Sequence, residues 1–311
     1  MSIIPLTYSA ELTDQNTFLR DILSVKFQLS HSLIIRLKQQ QKIKVNGNIC
    51  RTNYQIKAGD LVTIDLDLME ENEIIPEAYP LDIIYEDADF LVINKPAGMS
   101  VHPSTRNGGG TLANAVTYYW QQSGQNTRFR PINRLDKDTS GLILIGNSQF
   151  AHQGMFQKFQ QFNQRRIERY YLALAEGLFE QDCGRINQPI ARQSENSRKR
   201  IVNPDGQKAI THYQVLERYQ DCTLLLLSLE TGRTHQIRVH LSDLGHPICG
   251  DELYGSMSCL LKRQALHAGV LRFIHPRTEQ ELTLIAPLPR DMQTAIIRLG
   301  GTLKLNVAEY I

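Results

Sequence analysis

Short apolar runs separated by polar turns dominate the chain beyond residue 80, and this pattern is typical of β-strands. The strands are predicted at Leu81–Tyr85, Phe90–Asn94, Leu142–Ile145, Tyr170–Ala175, Ile210–Val215, Thr223–Leu229 and Glu281–Ile285. Helical spacing predicts helices at Thr111–Gln121, Gln149–Phe162, His235–Leu244 and Arg290–Leu299. Because the strands are not joined by one helix each, we expect an α+β fold with a mixed, largely antiparallel sheet and flanking helices, not a doubly wound fold.

The beginning of the chain has a different pattern, with helical spacing first and strand signals later. It predicts two short helices, a hairpin and a turn followed by a strand, at Thr17–Phe27, His31–Gln41, Ile43–Asn48 and Ala58–Ile64. Acidic residues and prolines then gather between Met69 and Pro80, which is typical of a linker. The predicted organisation is a small α+β domain at 1–68, a linker at 69–80 and a larger domain at 81–311.

Charge is distributed unevenly, although the 311 residues carry a formal net charge of only +2. The segment from Lys26 to Lys57 contains seven basic residues and no acidic residue. A positive surface of this kind attracts phosphate backbones, although a solvated helix face would give the same pattern. A second basic stretch, Arg192–Arg200, predicts a mobile loop that contacts RNA.

The five cysteines are far apart, odd in number and without a Cys-x-x-Cys pair, which predicts reduced thiols. The N-terminus lacks a signal-peptide pattern, and no apolar run approaches the roughly 18 residues of a membrane span. We therefore expect a cytoplasmic protein without membrane association.

The first candidate for chemistry is Asp136, in the run Pro131-Ile-Asn-Arg-Leu-Asp-Lys-Asp-Thr-Ser-Gly141. The cations Arg134 and Lys137 flank it and favour its ionised form, which suits a nucleophile or a general base. The same composition is also typical of a surface turn before a strand.

A second candidate is the run Leu229-Glu-Thr-Gly-Arg-Thr-His-Gln-Ile-Arg-Val-His-Leu241, followed by Gly245-His-Pro-Ile-Cys-Gly-Asp-Glu-Leu-Tyr-Gly255. It predicts a strand, a tight turn at Gly232 and a helix. Helical spacing places Ile237, Leu241 and Leu244 on a packed face and His235 with Arg238 on a free one. The concentration of Arg, His and Gln suits an anionic ligand, and an ordinary solvated face is the alternative.

Together with Val92–Gly98, Arg169–Ala173 and Leu266–Pro276, these runs resemble the RluA family of RNA pseudouridine synthases over roughly residues 80–290. Family members detach a uracil from its ribose, rotate it and reattach it through carbon 5. The resemblance leaves open whether the aspartate attacks the sugar or removes a sugar proton. One departure is Asn133, which stands where the family usually has His, and it bears on the contacts made by that His.

The resemblance implies roles for individual residues. Asp136 would be the catalytic aspartate, Tyr171 would stack on the target uracil, Arg238 would pair with the aspartate, and Arg134 would fill the gap left in the RNA. Further RNA contacts are expected from Thr139, Arg233, His235 and Gln236. The N-terminal domain resembles the αL RNA-binding module, with Lys38, Lys42 and Lys44 presented to RNA. No cofactor and no metal are expected. Lys95 either contacts RNA or caps a turn.

Two other functions fit parts of the sequence. Asp136-Lys-Asp-Thr139 also resembles magnesium-dependent phosphotransferase motifs, although such motifs follow an apolar strand. A non-catalytic RNA-binding or ribosome-assembly factor is the other alternative, suggested by Asn133. For the substrate, the N-terminal module favours large-subunit ribosomal RNA, and transfer RNA stays open. We expect a monomer.

Overall fold

The computed structural model describes residues 4–70, 72–103, 108–125, 127–157, 167–255 and 260–302. Within them the chain forms an α+β fold with one large mixed sheet, one small sheet and a separate two-stranded hairpin. The predicted fold class is confirmed. None of the described helices has both the length and the apolar character needed to cross a membrane.

Two helices pack on a small antiparallel sheet in the segment predicted to be the N-terminal domain. The helices are α1 (Leu19–Val25) and α2 (His31–Gln39), and the strands, in the spatial order β1-β4-β2-β3, are β1 (Leu6–Ser9), β2 (Ile43–Val45), β3 (Asn48–Ile49) and β4 (Leu61–Ile64). Ser30 caps α2 by accepting a hydrogen bond from the Leu33 amide. Asn46 and Gly47 both have positive φ, as a tight hairpin turn requires. Leucines and isoleucines from both layers form a separate core.

The large sheet contains nine of the described strands, namely β5 (Ile83–Glu86), β6 (Phe90–Lys95), β7 (Ser140–Gly146), β8 (Ile167–Glu176), β9 (Cys183–Asn187), β12 (Ile210–Arg218), β13 (Cys222–Leu229), β14 (Leu266–Ile274) and β15 (Glu281–Ile285). Their spatial order is β5-β6-β7-β14-β8-β13-β12-β9, and β15 also pairs with β14. Among the described residues only β7 and β14 pair in parallel. The separate hairpin consists of β10 (Ile190–Arg192) and β11 (Arg200–Val202).

Helices cover both faces of the large sheet. They are α3 (Leu112–Gln122), α4 (Gln149–Gln157), α5 (Gln236–Asp243) and α6 (Arg290–Arg298). Alternate residues of β6 point to opposite faces, so Leu91 and Ile93 join one core, while Phe90 and Val92 join the other. The first core includes residues of α3, α5 and α6, and the second includes residues of α4.

Some predicted elements are wrong in detail. Strand β14 was not predicted, because Gly269 and polar residues interrupt its apolar run. The basic stretch at Arg192–Arg200 forms a loop as predicted, and this loop connects the short strands β10 and β11, which were not predicted. Its mobility and its contact with RNA stay predictions. The helix expected at Gln149–Phe162 is described only to Gln157, and its remainder lies outside the described residues.

Helix α5 also differs from its prediction. It begins at Gln236, since His235 has a left-handed φ of 58°. Its residues from Gln236 to Leu241 are all buried, whereas Leu244, expected on the packed face, is 45 % exposed. The expectation of one packed and one free face is therefore wrong, because this helix lies inside the domain.

The segment predicted to be a linker makes ordered contacts with the large domain. Asn114 of α3 donates through Nδ2 to the Ile75 carbonyl (2.7 Å) and accepts at its own carbonyl from the Glu77 amide (3.2 Å). Glu70 pairs with Arg36 of α2 (2.8 Å) and with Arg130. The segment thus contacts both predicted domains through partly buried polar groups.

Candidate active site

A pocket of about 800 Å³ opens where the loop before β7, strand β8 and the segment before α5 meet. This volume lies in the range of small-molecule and cofactor sites. Its lining includes Arg134, Asp136, Arg169, Tyr171, Arg233, His235 and Arg238. Among the described residues, all that line the pocket follow position 131, so the N-terminal domain does not form its wall.

Asn133 anchors the loop that carries Asp136. Its side chain donates through Nδ2 to the Leu142 carbonyl (3.0 Å) and accepts at Oδ1 from the Leu144 amide (2.8 Å). The side-chain amide thus bonds to the β7 backbone as the main chain of a neighbouring strand would. Because Asn133 is buried, water does not compete for these bonds. Asn133 therefore has a definite structural role, and its presence is no sign of a decayed site.

Two cations hold the backbone after Asp136. Lys95 is fully buried, and its Nζ donates to the carbonyls of Pro96 (2.7 Å), Met99 (2.9 Å) and Lys137 (2.9 Å). Arg263 donates to the Asp138 carbonyl at 3.0 Å. Burial lowers the pKa of Lys95 to about 7, although the charge of Asp138 opposes this. Of its two predicted roles, the cap of the turn is the one that these hydrogen bonds support.

Arg238 brings Asp136 together with a carboxylate that the sequence analysis missed. Its Nη1 donates to Asp136 Oδ2 (2.9 Å), while Nε and Nη2 donate to the two oxygens of Asp251 (2.7 and 2.8 Å). Burial opposes the guanidinium charge, but Asp251 and Asp136 outweigh it and raise the pKa of Arg238. The side chain of Asp136 keeps 25 % exposure toward the pocket.

Asp251 reaches this position because the chain turns sharply at Gly250. Gly250 has a φ of 74°, and a Cβ there would meet the Arg263 carbonyl oxygen at 2.3 Å. Only glycine fits both constraints. The spacing Gly-Asp-x-x-Tyr was visible in the sequence, but no local feature linked its Asp to Arg238.

His235 borders the pocket beside Asp136 and is held there by Tyr254. His235 places Nε2 at 3.8 Å from Asp136 Oδ2 and Nδ1 at 2.9 Å from the Tyr254 hydroxyl. Burial lowers the pKa of His235, which keeps the ring neutral near pH 7. The Tyr254 hydroxyl also accepts a hydrogen bond from the Arg200 amide (2.7 Å). The basic hairpin is thereby attached to the edge of the active site.

Tyr171 and Arg169 project from the same face of β8, since they are two residues apart. Tyr171 is buried, which raises its pKa and keeps its hydroxyl protonated. A Cβ at Gly232 would lie 3.0 Å from Arg169 Nη1, so the glycine lets the loop pass close to this arginine. Arg169 lines the pocket, and the sequence analysis gave it no role.

The other predicted RNA-binding residues divide into two groups. Arg134 and Arg233 are exposed at the pocket, where RNA could reach them. Gln236 is buried, and its amide already bonds to Thr231, Thr211, the Arg233 amide and the Ile210 carbonyl. Thr139 is also buried and accepts from Gln264 (3.3 Å). Both residues border the pocket, although their polar groups are hydrogen-bonded inside the protein, and RNA binding by Gln236 and Thr139 stays a prediction.

The basic N-terminal segment is less positive than its sequence indicates. Acidic residues outside the segment pair with three of its seven cations, namely Asp14 with Lys26 (3.4 Å), Glu70 with Arg36 (2.8 Å) and Asp65 with Lys42 (2.6 Å). Lys42, predicted to bind RNA, is therefore already paired. Lys38 and Lys44 are exposed.

Comparison with known proteins identifies the family. Residues 89–243 match the family model described as RNA pseudouridylate synthase. The chain is 42 % identical over 89 % of its length to the uncharacterized RNA pseudouridine synthase YhcT of Bacillus subtilis, covering 91 % of that protein. It is 40 % identical to ribosomal large subunit pseudouridine synthase D of Haemophilus ducreyi, over 86 % of this chain and 85 % of that protein.

A solved structure agrees with these matches. Human RNA pseudouridylate synthase domain containing 1 superposes with a TM-score of 0.57 at 28 % identity, over 73 % of this chain and 90 % of the human one. Asp136 lies on a loop before β7 instead of following an apolar strand, which argues against the magnesium-dependent alternative. The chain therefore belongs to the RluA family of RNA pseudouridine synthases, enzymes that isomerise uridine in RNA to pseudouridine.

Proposed function

We propose that this enzyme modifies uridines of large-subunit ribosomal RNA. The observation that carries the proposal is the similarity to proteins named ribosomal large subunit pseudouridine synthase D, which extends over 86 % of the chain and therefore beyond the catalytic core. A ribosomal substrate is also consistent with the predicted cytoplasmic location.

Asp136 is the proposed catalytic residue. Its partly exposed carboxylate borders the pocket, and Arg238 donates to only one of its oxygens. Attack on the sugar and removal of a sugar proton both require a carboxylate that the ribose can reach, and the position of Asp136 at the pocket supports either role.

The remaining pocket residues receive roles in binding the target nucleotide. Tyr171 offers a buried aromatic ring on which an extracted uracil can stack. Arg134, exposed beside the pocket, is placed to occupy the space that the base leaves in the RNA. Arg233 and His235 border the same opening and are proposed to contact the RNA near the target.

We assign RNA binding outside the pocket to the N-terminal domain, residues 1–68. Lys38 and Lys44 are exposed there, and exposed cations release counterions when they meet phosphates. The domain has its own hydrophobic core and touches the catalytic domain through polar contacts such as Ser30 with Gln153 (2.6 Å).

The test is a map of pseudouridines in large-subunit ribosomal RNA and transfer RNA from cells with the gene, without it, and with an Asp136→Asn copy. We expect one or more ribosomal pseudouridines to disappear without the gene and to stay absent with the variant. Loss of transfer RNA pseudouridines alone would overturn the ribosomal assignment.

A further inference from the structure

The guanidinium of Arg238 is shared unequally between two carboxylates. Asp251 occupies Nε and Nη2 in a bidentate pair (2.7 and 2.8 Å), and Asp136 receives a single hydrogen bond from Nη1 (2.9 Å). Bidentate pairing is the stronger geometry for arginine and a carboxylate. The stronger, bidentate interaction of Arg238 is therefore made with Asp251, which does not line the pocket.

Asp251 is fixed more firmly than Asp136. It is fully buried, and its Oδ1 also accepts hydrogen bonds from the amides of Leu253 (3.1 Å) and Tyr254 (3.2 Å). These contacts hold its carboxylate in place, since both of its oxygens accept hydrogen bonds. Asp136, by contrast, has no donor on Oδ1 in the part of the chain that the structure describes.

The three groups together carry one net negative charge. His235 adds no positive charge near pH 7, because burial lowers its pKa. An arginine bound to Asp136 alone would neutralise it and engage both of its oxygens, which weakens a base or nucleophile.

We propose that Asp251 is a positioning residue that keeps Asp136 reactive. It directs Arg238 so that a single N–H reaches Asp136, and its negative charge prevents the guanidinium from neutralising the catalytic carboxylate. The inference rests on the proposed catalytic role of Asp136. It assigns the motif Gly250-Asp-Glu-Leu-Tyr254 a part in the chemistry, although none of its side chains lines the pocket.

The test compares Asp251→Asn with Glu252→Gln in the full-length enzyme. Both variants lose one negative charge, but Glu252 is exposed and lies outside the ion-pair cluster. Tritium release from carbon 5 of labelled uridine gives kcat and KM across the pH range in which each protein stays folded.

For Asp251→Asn we expect the acid limb of the kcat/KM profile to move to lower pH by about one unit. The positive charge of Arg238 is then opposed by Asp136 alone, so it stabilises the ionised form of Asp136 more strongly. We expect kcat to fall roughly tenfold, with KM nearly unchanged, since a weaker base or nucleophile slows only the chemical step. Glu252→Gln should keep the parental profile.

The other charged or titratable groups around Asp136 are unchanged in both variants, so they do not contribute to the difference. They come from the loop before β7, from β6, from β8 and from the segment around α5, and they are Arg134, Lys95, Arg169, Tyr171, Glu230, Arg233, His235 and Tyr254.

The variant Asp251→Glu distinguishes an effect of charge from an effect of side-chain length. It retains the negative charge, so the acid limb of its kcat/KM profile should stay at the parental pH even if displacement of Arg238 lowers kcat. An unmoved acid limb in Asp251→Asn, or an equal shift in Asp251→Glu, overturns the proposal and leaves Asp251 a structural residue.

Two further results complete the test. If Asp251→Asn does not fold, Asp251→Ser carries the same expectation, and failure of both neutral variants to fold also assigns Asp251 a purely structural role. If Asp136→Asn remains active, the catalytic assignment itself fails, which is a different result from an unmoved acid limb.

Discussion

Charged side chains are arranged in opposite ways in the active-site pocket and in the N-terminal domain. In the pocket, Arg238 is buried between Asp136 and Asp251, and its hydrogen bonds are divided between them. On the N-terminal domain, Lys38 and Lys44 are exposed and form no ion pair with a described residue. Buried ions cost several kcal/mol unless they are paired, whereas exposed cations gain little from a partner. Burial thus determines which charged side chains form ion pairs within the protein and which remain available to bind RNA phosphates.

The largest effect is expected from Asp136→Asn. The amide keeps the volume but loses the charge and the nucleophilicity, so turnover should fall at least about a hundredfold. RNA affinity should stay within a few-fold, because the phosphate contacts are unchanged. Tritium release and a filter-binding titration measure the two quantities, and turnover near the parental rate would contradict the role of Asp136.

The variant Arg238→Met tests whether the pocket charges depend on one another. It leaves Asp136 and the fully buried Asp251 without their cation, so we expect loss of activity and about 3–5 kcal/mol of stability. Urea unfolding measures the stability. Arg233→Met, an exposed neighbour, is the control and should unfold like the parent. Parental stability in Arg238→Met would show that the pair contributes nothing.

The exposed cations are tested through the salt dependence of RNA binding. Three exposed basic residues of the segment Lys26–Lys57 are Lys38, Lys44 and Arg51. Replacing all three by Gln should reduce the slope of log affinity against log salt by about 2–3, at roughly 0.7–0.9 per phosphate contact. Lys42→Gln is the matched control, since Asp65 already neutralises Lys42, and its slope should stay near the parental value. Equal effects per residue in both variants would show that the internal pairing is irrelevant to RNA.

The smallest effect is expected at the contact between the two domains. Burial disfavours the charge of Glu70, but Arg130 and Arg36 outweigh it and lower its pKa. Its stabilisation is therefore complete above the unfolded-state pKa of about 4.3 and is lost as pH falls through the lower folded-state pKa. Glu70→Gln should cost about 1–2 kcal/mol at pH 7.

The same variant should show little difference from the parent in strong acid, where Glu70 is protonated in both states. Thermal unfolding followed from neutral to acid pH measures this, with exposed Glu73→Gln as the control. A stability difference that persists in acid would mean that the ionised pair is not its source.

Local patterns predicted most of the secondary structure correctly. The helix at Thr111–Gln121 was displaced by only one residue from α3, because Thr111 is a recognisable cap. Strand β14 was missed even though it lies in the centre of the sheet, since its pairing with β7 and β8 depends on distant residues. A strand of this kind is stabilised by its neighbours and not by its own alternation.

The residues of the site also divide into those that local sequence identifies and those that depend on distant contacts. Asp136, Tyr171 and Arg238 are identifiable from runs of neighbouring residues, because each lies in a distinctive local motif. The contact of Asp251 with Arg238, the pairing of Lys42 with Asp65 and the burial of Gln236 are not identifiable in this way. Residue type and spacing specify the elements and the reactive groups, since those depend on adjacent residues. Burial and the choice of ionic partner arise only when distant segments pack together, and they decide which groups remain available for chemistry.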